Sequence, residues 1–103
     1  MKLLGVTSCP SGVAHTYMAA EALEIAAKNK GWDVKIETQG SIGVENEITK
    51  DDLINADVVI LTKDIAIKNE ERFKGMKIIR LPITDAVKKA PQIMDKIKSM
   101  LNK

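Results

Sequence analysis

The chain has 103 residues, of which 45% are apolar and 29% charged. These values exclude a disordered tail, a collagen-like repeat and a membrane bundle, and suit one compact domain over residues 1–103. Sixteen Lys and Arg against fourteen Asp and Glu leave a formal charge of +2, too small an excess for a nucleic-acid partner, which calls for a concentrated basic face.

The apolar run that opens the chain, Leu3-Leu4-Gly5-Val6, ends at Thr7, short of the roughly 7 to 15 residues of a secretory signal. No stretch approaches the ~18 apolar residues of a membrane span. The chain therefore reads as a soluble protein of a reducing, cytoplasmic compartment, and its single cysteine cannot form an internal disulfide. Lys2 to Thr7 forms the first strand. Ala14 to Lys28 follows as an amphipathic helix with Met18, Ala22, Ile25 and Ala26 on one stripe, stopped by Gly31. The second strand, Asp33 to Thr38, alternates charged and apolar residues, which predicts one buried face and an edge position.

Thr49 to Ile54 predicts a short capped helix, with Thr49 as N-cap and Asp52 three residues on. Val58 to Leu61 has no charge on either face and belongs, like the first strand, at the centre of the sheet. Lys63 to Gly75 is polar with one helical turn near Glu70 to Phe73, and Met76 to Leu81 forms the fourth strand at the other edge. Val87, Ala90, Ile93, Met94, Ile97 and Met100 or Leu101 recur at helical spacing, with Pro91 breaking that helix or starting its main part. Strands alternating with helices predict a parallel sheet. The expected fold is a three-layer α/β sandwich, Rossmann-like or phosphatase-like, on a four-stranded parallel sheet of order 2-1-3-4, which keeps the crossovers short and right-handed.

In that order the connections leaving strands one and three go to opposite faces and open a crevice at their carboxyl ends. Ser8-Cys9-Pro10-Ser11-Gly12-Val13-Ala14-His15-Thr16 leads from the first strand into the first helix. Unpaired amides and the dipole at a helix N-terminus stabilise a thiolate or a phosphate by roughly 0.3 to 2 kcal/mol beyond individual hydrogen bonds. Gly12 lets the backbone approach an anion closely, Pro10 stiffens the exit from Cys9, and donors are expected from Ser11 to Thr16, including the Ser11 and Thr16 hydroxyls. The alternative reading of Cys9, a small buried hydrophobe, suits a polar, glycine-containing turn poorly. His15 divides evenly between a plain surface or packing residue and a neutral hydrogen-bonding group. One Cys and one His are too few for a metal site, and no cofactor is called for.

Cys-Pro-Ser-Gly-Val-Ala-His-Thr, followed by Tyr17-Met18-Ala19-Ala20-Glu21-Ala22-Leu23, closely resembles the active-site signature of the fructose-type enzyme IIB of the bacterial phosphoenolpyruvate:sugar phosphotransferase system (PTS). Glu37-Thr38-Gln39-Gly40-Ser41, with Gly43, Asn46 and Ile48-Thr49, resembles that family's second loop, and the likeness runs through Ala56-Asp57-Val58-Val59 to the last helix. The resemblance implies that Cys9 accepts a phosphoryl group from a phosphohistidine on enzyme IIA. It then passes the group to fructose or a related hexose on the membrane component IIC, at the inner face of the membrane, without inserting there itself. Pro10 to Thr16 would cradle the phosphoryl oxygens, with neither metal nor cofactor. Gln39, Ser41, Lys63 and Asp64 are candidate rim residues, with a plain turn at Gly40 to Gly43 and a solvated rim at Lys63 and Asp64 as the alternatives. Lys88, Lys89, Lys96 and Lys98 read as the wet face of the last helix, and the composition suggests a monomer in isolation.

Low-molecular-weight tyrosine phosphatases and related arsenate reductases also carry a Cys loop after the first strand, with five residues between the Cys and an Arg. At that spacing from Cys9 stands His15, so the bidentate cation of a phosphatase is missing. No Asp-Pro general-acid loop follows either. The lactose and cellobiose type of IIB and a non-catalytic anion-binding module are the other rivals; the Ala-His-Thr ending and the Glu37 to Ser41 stretch favour the fructose type.

Overall fold

A computed structural model describes residues 1–10, 13–40 and 43–101, the side chain of Val13 excepted. Strand β1, Lys2–Ser8, lies between β2, Asp33–Gly40, and β4, Val58–Thr62, and pairs with both in parallel. Strand β5, Ile78–Leu81, extends the parallel set beyond β4. These four have the expected relative order. The sheet is nevertheless five-stranded and mixed, because β3, Gly43–Glu45, adds to the outer side of β2 in the antiparallel direction, giving β3-β2-β1-β4-β5. The four-stranded, all-parallel expectation is corrected accordingly. So is the edge position of β2, whose last three residues, Thr38 to Gly40, pair with Glu45 to Gly43.

Strand parity sorts the core into two layers. Leu3, Ile36, Val58 and Ile60 face helix α1 (Val13–Asn29), α3 (Ile83–Lys88) and α4 (Ala90–Leu101). Leu4, Val6, Val59 and Leu61 face the other way, onto Ile48, Ile67 and Phe73. Among the described residues that second layer is covered only by the four-residue helix α2, Lys50–Leu53, a 3-10 turn over Glu70–Phe73 and connecting segments. The capping box of α2 forms as expected: the Asp52 N–H donates to the Thr49 hydroxyl, and the Asp52 carboxylate accepts from the Thr49 N–H at 2.8 Å.

Helix α1 begins one residue earlier than expected and keeps only part of the expected stripe, Ala26 buried and Ala22 partly buried. Thr16, Ala19, Leu23, Ala26 and Ala27 are buried, whereas Met18 and Ile25 are 51% and 53% exposed. The buried face sets one large side chain, Leu23, among small ones, which let the helix settle close to the sheet. The helix ends in a Schellman motif: Trp32 N–H bonds the Ala27 carbonyl and Gly31 N–H that of Lys28, with Gly31 at φ +78. Pro91 occupies the second position of α4, where its missing N–H costs nothing.

The period-two pattern also misjudged β2. Glu37, Thr38 and Gln39 are all buried, because Glu37 is matched by an ion pair with Arg72 at 2.7 Å and so sits inside the second layer despite its charge.

Candidate functional site

The end of β1 is tied on both sides. Thr7 donates its hydroxyl to the Thr16 carbonyl in the first turn of α1 at 3.0 Å. The Thr62 hydroxyl, at the end of β4, accepts from Ser8 N–H at 3.0 Å and donates to the Ser8 carbonyl. The Ser8 hydroxyl donates to the Gln39 carbonyl on β2 at 2.8 Å. Cys9 therefore leaves a strand end anchored to both neighbouring strands and to the helix that follows.

The Cys9 side chain is half-buried, in contact with the core layer under α1. It lines a cleft of about 280 Å³ between the ends of β1 and β2 and the segment that follows β4. Pro10 lines the same cleft and is exposed. Ala14 and His15 are exposed in the first turn of α1. Thr16 is 1% exposed, and its hydroxyl oxygen has no hydrogen-bond partner among the described residues. Ser11, Gly12 and Ser41 lie outside the described residues, as does the side chain of Val13.

Gln39, a candidate rim residue, lines the cleft from β2 and is buried. Its side-chain amide reaches Glu37 at 2.7 Å and the backbone of Lys68. Glu37 also accepts from Arg72 and from Ile48 N–H. Burial pushes the Glu37 carboxyl up, but the hydrogen bonds from Arg72, Gln39 and Ile48 more than offset it and hold it below the ordinary carboxylate value.

Lys63 and Asp64 follow β4 and are exposed, but the cleft wall is built from Ile65, Ala66 and Lys68 instead. The Asp64 carboxylate turns to α3, where it accepts from the N–H of the first helical residue, Ile83, at 2.7 Å. Sequence reasoning missed Val44, Ile65, Ala66 and Lys68 as cleft residues. An available signal was the pair of large apolar side chains in polar, turn-rich stretches: Val44 is 44% and Ile65 43% exposed. Tyr17, 39% exposed, bonds Glu45 and so ties the helix to β3 beside the cleft; that bond raises the Tyr17 hydroxyl above its usual range.

The sequence model of the family described as "PTS system, Lactose/Cellobiose specific IIB subunit" matches residues 4–96. The chain belongs to the PTS IIB family. The PTS system fructose-like EIIB component 2 of Escherichia coli K12 is 68% identical to it over 100 residues, covering 97% of this chain and 94% of the relative. This IIB chain is also 46% identical over 94 residues to the PTS system fructose-specific EIIB'BC component of Haemophilus influenzae, of which it spans only 17%. In three dimensions it resembles the solution structure of the Enzyme IIB subunit of the PTS system from Escherichia coli K12, with a TM-score of 0.90 at 40% identity, covering 96% and 92% of the two chains. The relatives' names thus place this IIB chain with the fructose-like members, although the matching family model carries the lactose/cellobiose description. No helix among the described residues is long and apolar enough to cross a membrane.

Proposed function

We propose that this IIB chain carries a phosphoryl group on Cys9 between an enzyme IIA and a sugar held by an enzyme IIC. The observation that carries the reading is the setting of the sulfur: at an anchored strand end, in an open cleft, before a 17-residue helix whose buried Thr16 hydroxyl lacks a partner among the described residues. The thiolate attacks phosphorus in line; the S–P bond forms as the P–N bond of the IIA phosphohistidine breaks, and the electron pair leaves on the imidazole nitrogen, which takes up the thiol's proton. In the second step a sugar hydroxyl oxygen attacks phosphorus, the S–P bond breaks, the thiolate is regenerated, and the hydroxyl proton passes to a base at the acceptor site. Backbone amides from Ser11 to Thr16 and the Ser11 and Thr16 hydroxyls hold the equatorial oxygens, with His15 as a neutral hydrogen-bonding group.

Exposed Tyr17, Val44 and Ile65 around the cleft give partner proteins an apolar rim against which to exclude water. The longer EIIB'BC relative supports a IIC partner, and the fructose-like names support fructose or a related hexose. Incubation with phosphoenolpyruvate, the general phosphotransferase proteins and a cognate IIA adds one phosphoryl mass to Cys9, and Cys9→Ser abolishes it. A label that survives Cys9→Ser moves the site to His15. Phosphate binding without any covalent adduct makes the chain an anion-binding module, and sustained aryl phosphate turnover makes it a phosphatase.

A further inference from the structure

The wall of the cleft facing the strand end is built around one side chain. The Gln39 amide grips the backbone of Lys68 from both sides: its Oε1 accepts from Lys68 N–H at 2.9 Å, and its Nε2 donates to the Lys68 carbonyl at 3.0 Å. A neighbouring strand would offer the same pair of bonds. The second proton of Nε2 goes to the Glu37 carboxylate. The amide therefore has one permitted orientation, since a flip would set its oxygen against the Glu37 carboxylate and its NH₂ against the Lys68 N–H. Glu37 is locked in turn by Arg72 and by Ile48 N–H. A buried network, in which only the Arg72 Nε lacks a partner among the described residues, thus fixes where the Lys68 side chain starts.

That side chain is exposed and lines the cleft that holds Cys9. Among the described residues lining it, Lys68 alone carries a charge. A phosphoryl group on sulfur brings approximately two negative charges, as phosphorylated side chains do. Backbone amides supply direction but only partial charge. A carrier must also release its cargo, and a lysine on a flexible stem neutralises charge without the two-pronged grip of an arginine.

We propose that Lys68, presented by the Gln39 clamp, pairs with the phosphoryl group on Cys9 and speeds its arrival; this rests on the phosphocarrier reading. Two measurements separate the proposal from that reading. The first alkylates the chain's single thiol with iodoacetate or iodoacetamide; each forms an S–C bond and releases iodide, and the reagents differ in charge. Lys68→Gln lowers the iodoacetate-to-iodoacetamide rate ratio about three- to tenfold at low salt, as expected for removing one charge from a partly wet cleft. Salt narrows the gap, and Lys68→Arg restores the ratio. The second follows transfer from phosphorylated IIA: Lys68→Gln slows labelling of Cys9 about tenfold while the final stoichiometry stays at one, and Gln39→Ala, checked for folding by circular dichroism, gives a smaller loss. An alkylation ratio and a transfer rate that both stay within twofold of the unsubstituted chain in Lys68→Gln overturn the role of Lys68 and leave the phosphocarrier reading standing. A chain with native Lys68 that takes no label refutes that reading and the pairing with it.

Discussion

Glu37→Gln removes one charge from the inside of the sheet while keeping the side chain's shape. Glu37 is 1% exposed. Its Oε2 accepts from Arg72 and from Gln39, each at 2.7 Å, and its Oε1 accepts from Ile48 N–H at 2.8 Å. A glutamine must put an NH₂ in place of one of these oxygens. Either Ile48 N–H then faces a donor, or Arg72 and Gln39 both do, and the guanidinium is left without its carboxylate. Breaking a buried pair from one side costs about 3 to 5 kcal/mol. With a urea slope of about 1.5 kcal/mol/M, typical of a small domain, the unfolding midpoint falls by roughly 2 to 3 M. Arg72→Leu added to Glu37→Leu costs less than the sum of the two single changes, because the second no longer strands a charge. The folded-state Glu37 carboxyl lies below its ordinary 4.5, so its contribution is complete above that pH and is lost as the pH falls through the lower folded value. The margin between native chain and variant therefore narrows on acidification. A loss under about 1 kcal/mol at neutral pH, measured by urea unfolding with an unchanged slope, would refute this account of the network.

Phe73→Ala empties a fully buried position under the 3-10 turn and should cost about 3 to 5 kcal/mol by the same urea measurement. Asp52 is held down to about 2 by its hydrogen bonds to Lys35 and to Thr49 N–H, with burial opposing them. Asp52→Asn should cost about 1 to 2 kcal/mol at neutral pH, and that difference should fade as the pH drops from about 4 to about 2 in a series of thermal melts. Thr16→Val exchanges a buried hydroxyl without a partner among the described residues for a methyl group; stability should hold or rise by up to about 1 kcal/mol while transfer from IIA slows, which stopped-flow labelling and melting measure on one sample. His15→Asn should slow transfer and leave the melting temperature unchanged, since His15 is exposed.

The parallel strands and their order were legible because β1 and β4 are apolar on both faces whereas β5 is mixed. Capping was equally readable at Thr49, and the glycine stop at Gly31, since both depend on local chemistry. Strand β3 was not: three exposed residues carry no periodic signal, and they pair only because the chain turns back along β2. The burial of Glu37 escaped notice because its partner, Arg72, lies 35 residues away. For the same reason the role of Gln39 could be placed at the cleft but not understood; its partner Lys68 comes from another crossover. Met18 and Ile25 misled the helix reading because the face turned to the sheet runs through Ala19, Leu23, Ala26 and Ala27 instead.

The sheet is unevenly dressed. One side wears helices of 17, 6 and 12 residues, the other a four-residue helix and a four-residue 3-10 turn. Amide deuteration should enter the thinner side first, as a subglobal opening that leaves the three-helix layer shut. The two banks of the thiol's cleft would then differ in stiffness, one rooted in α1 and the other in the thinner layer, where the Gln39 amide pins Lys68, so that a donor and an acceptor of unlike shape could be met in turn with the lysine kept in place.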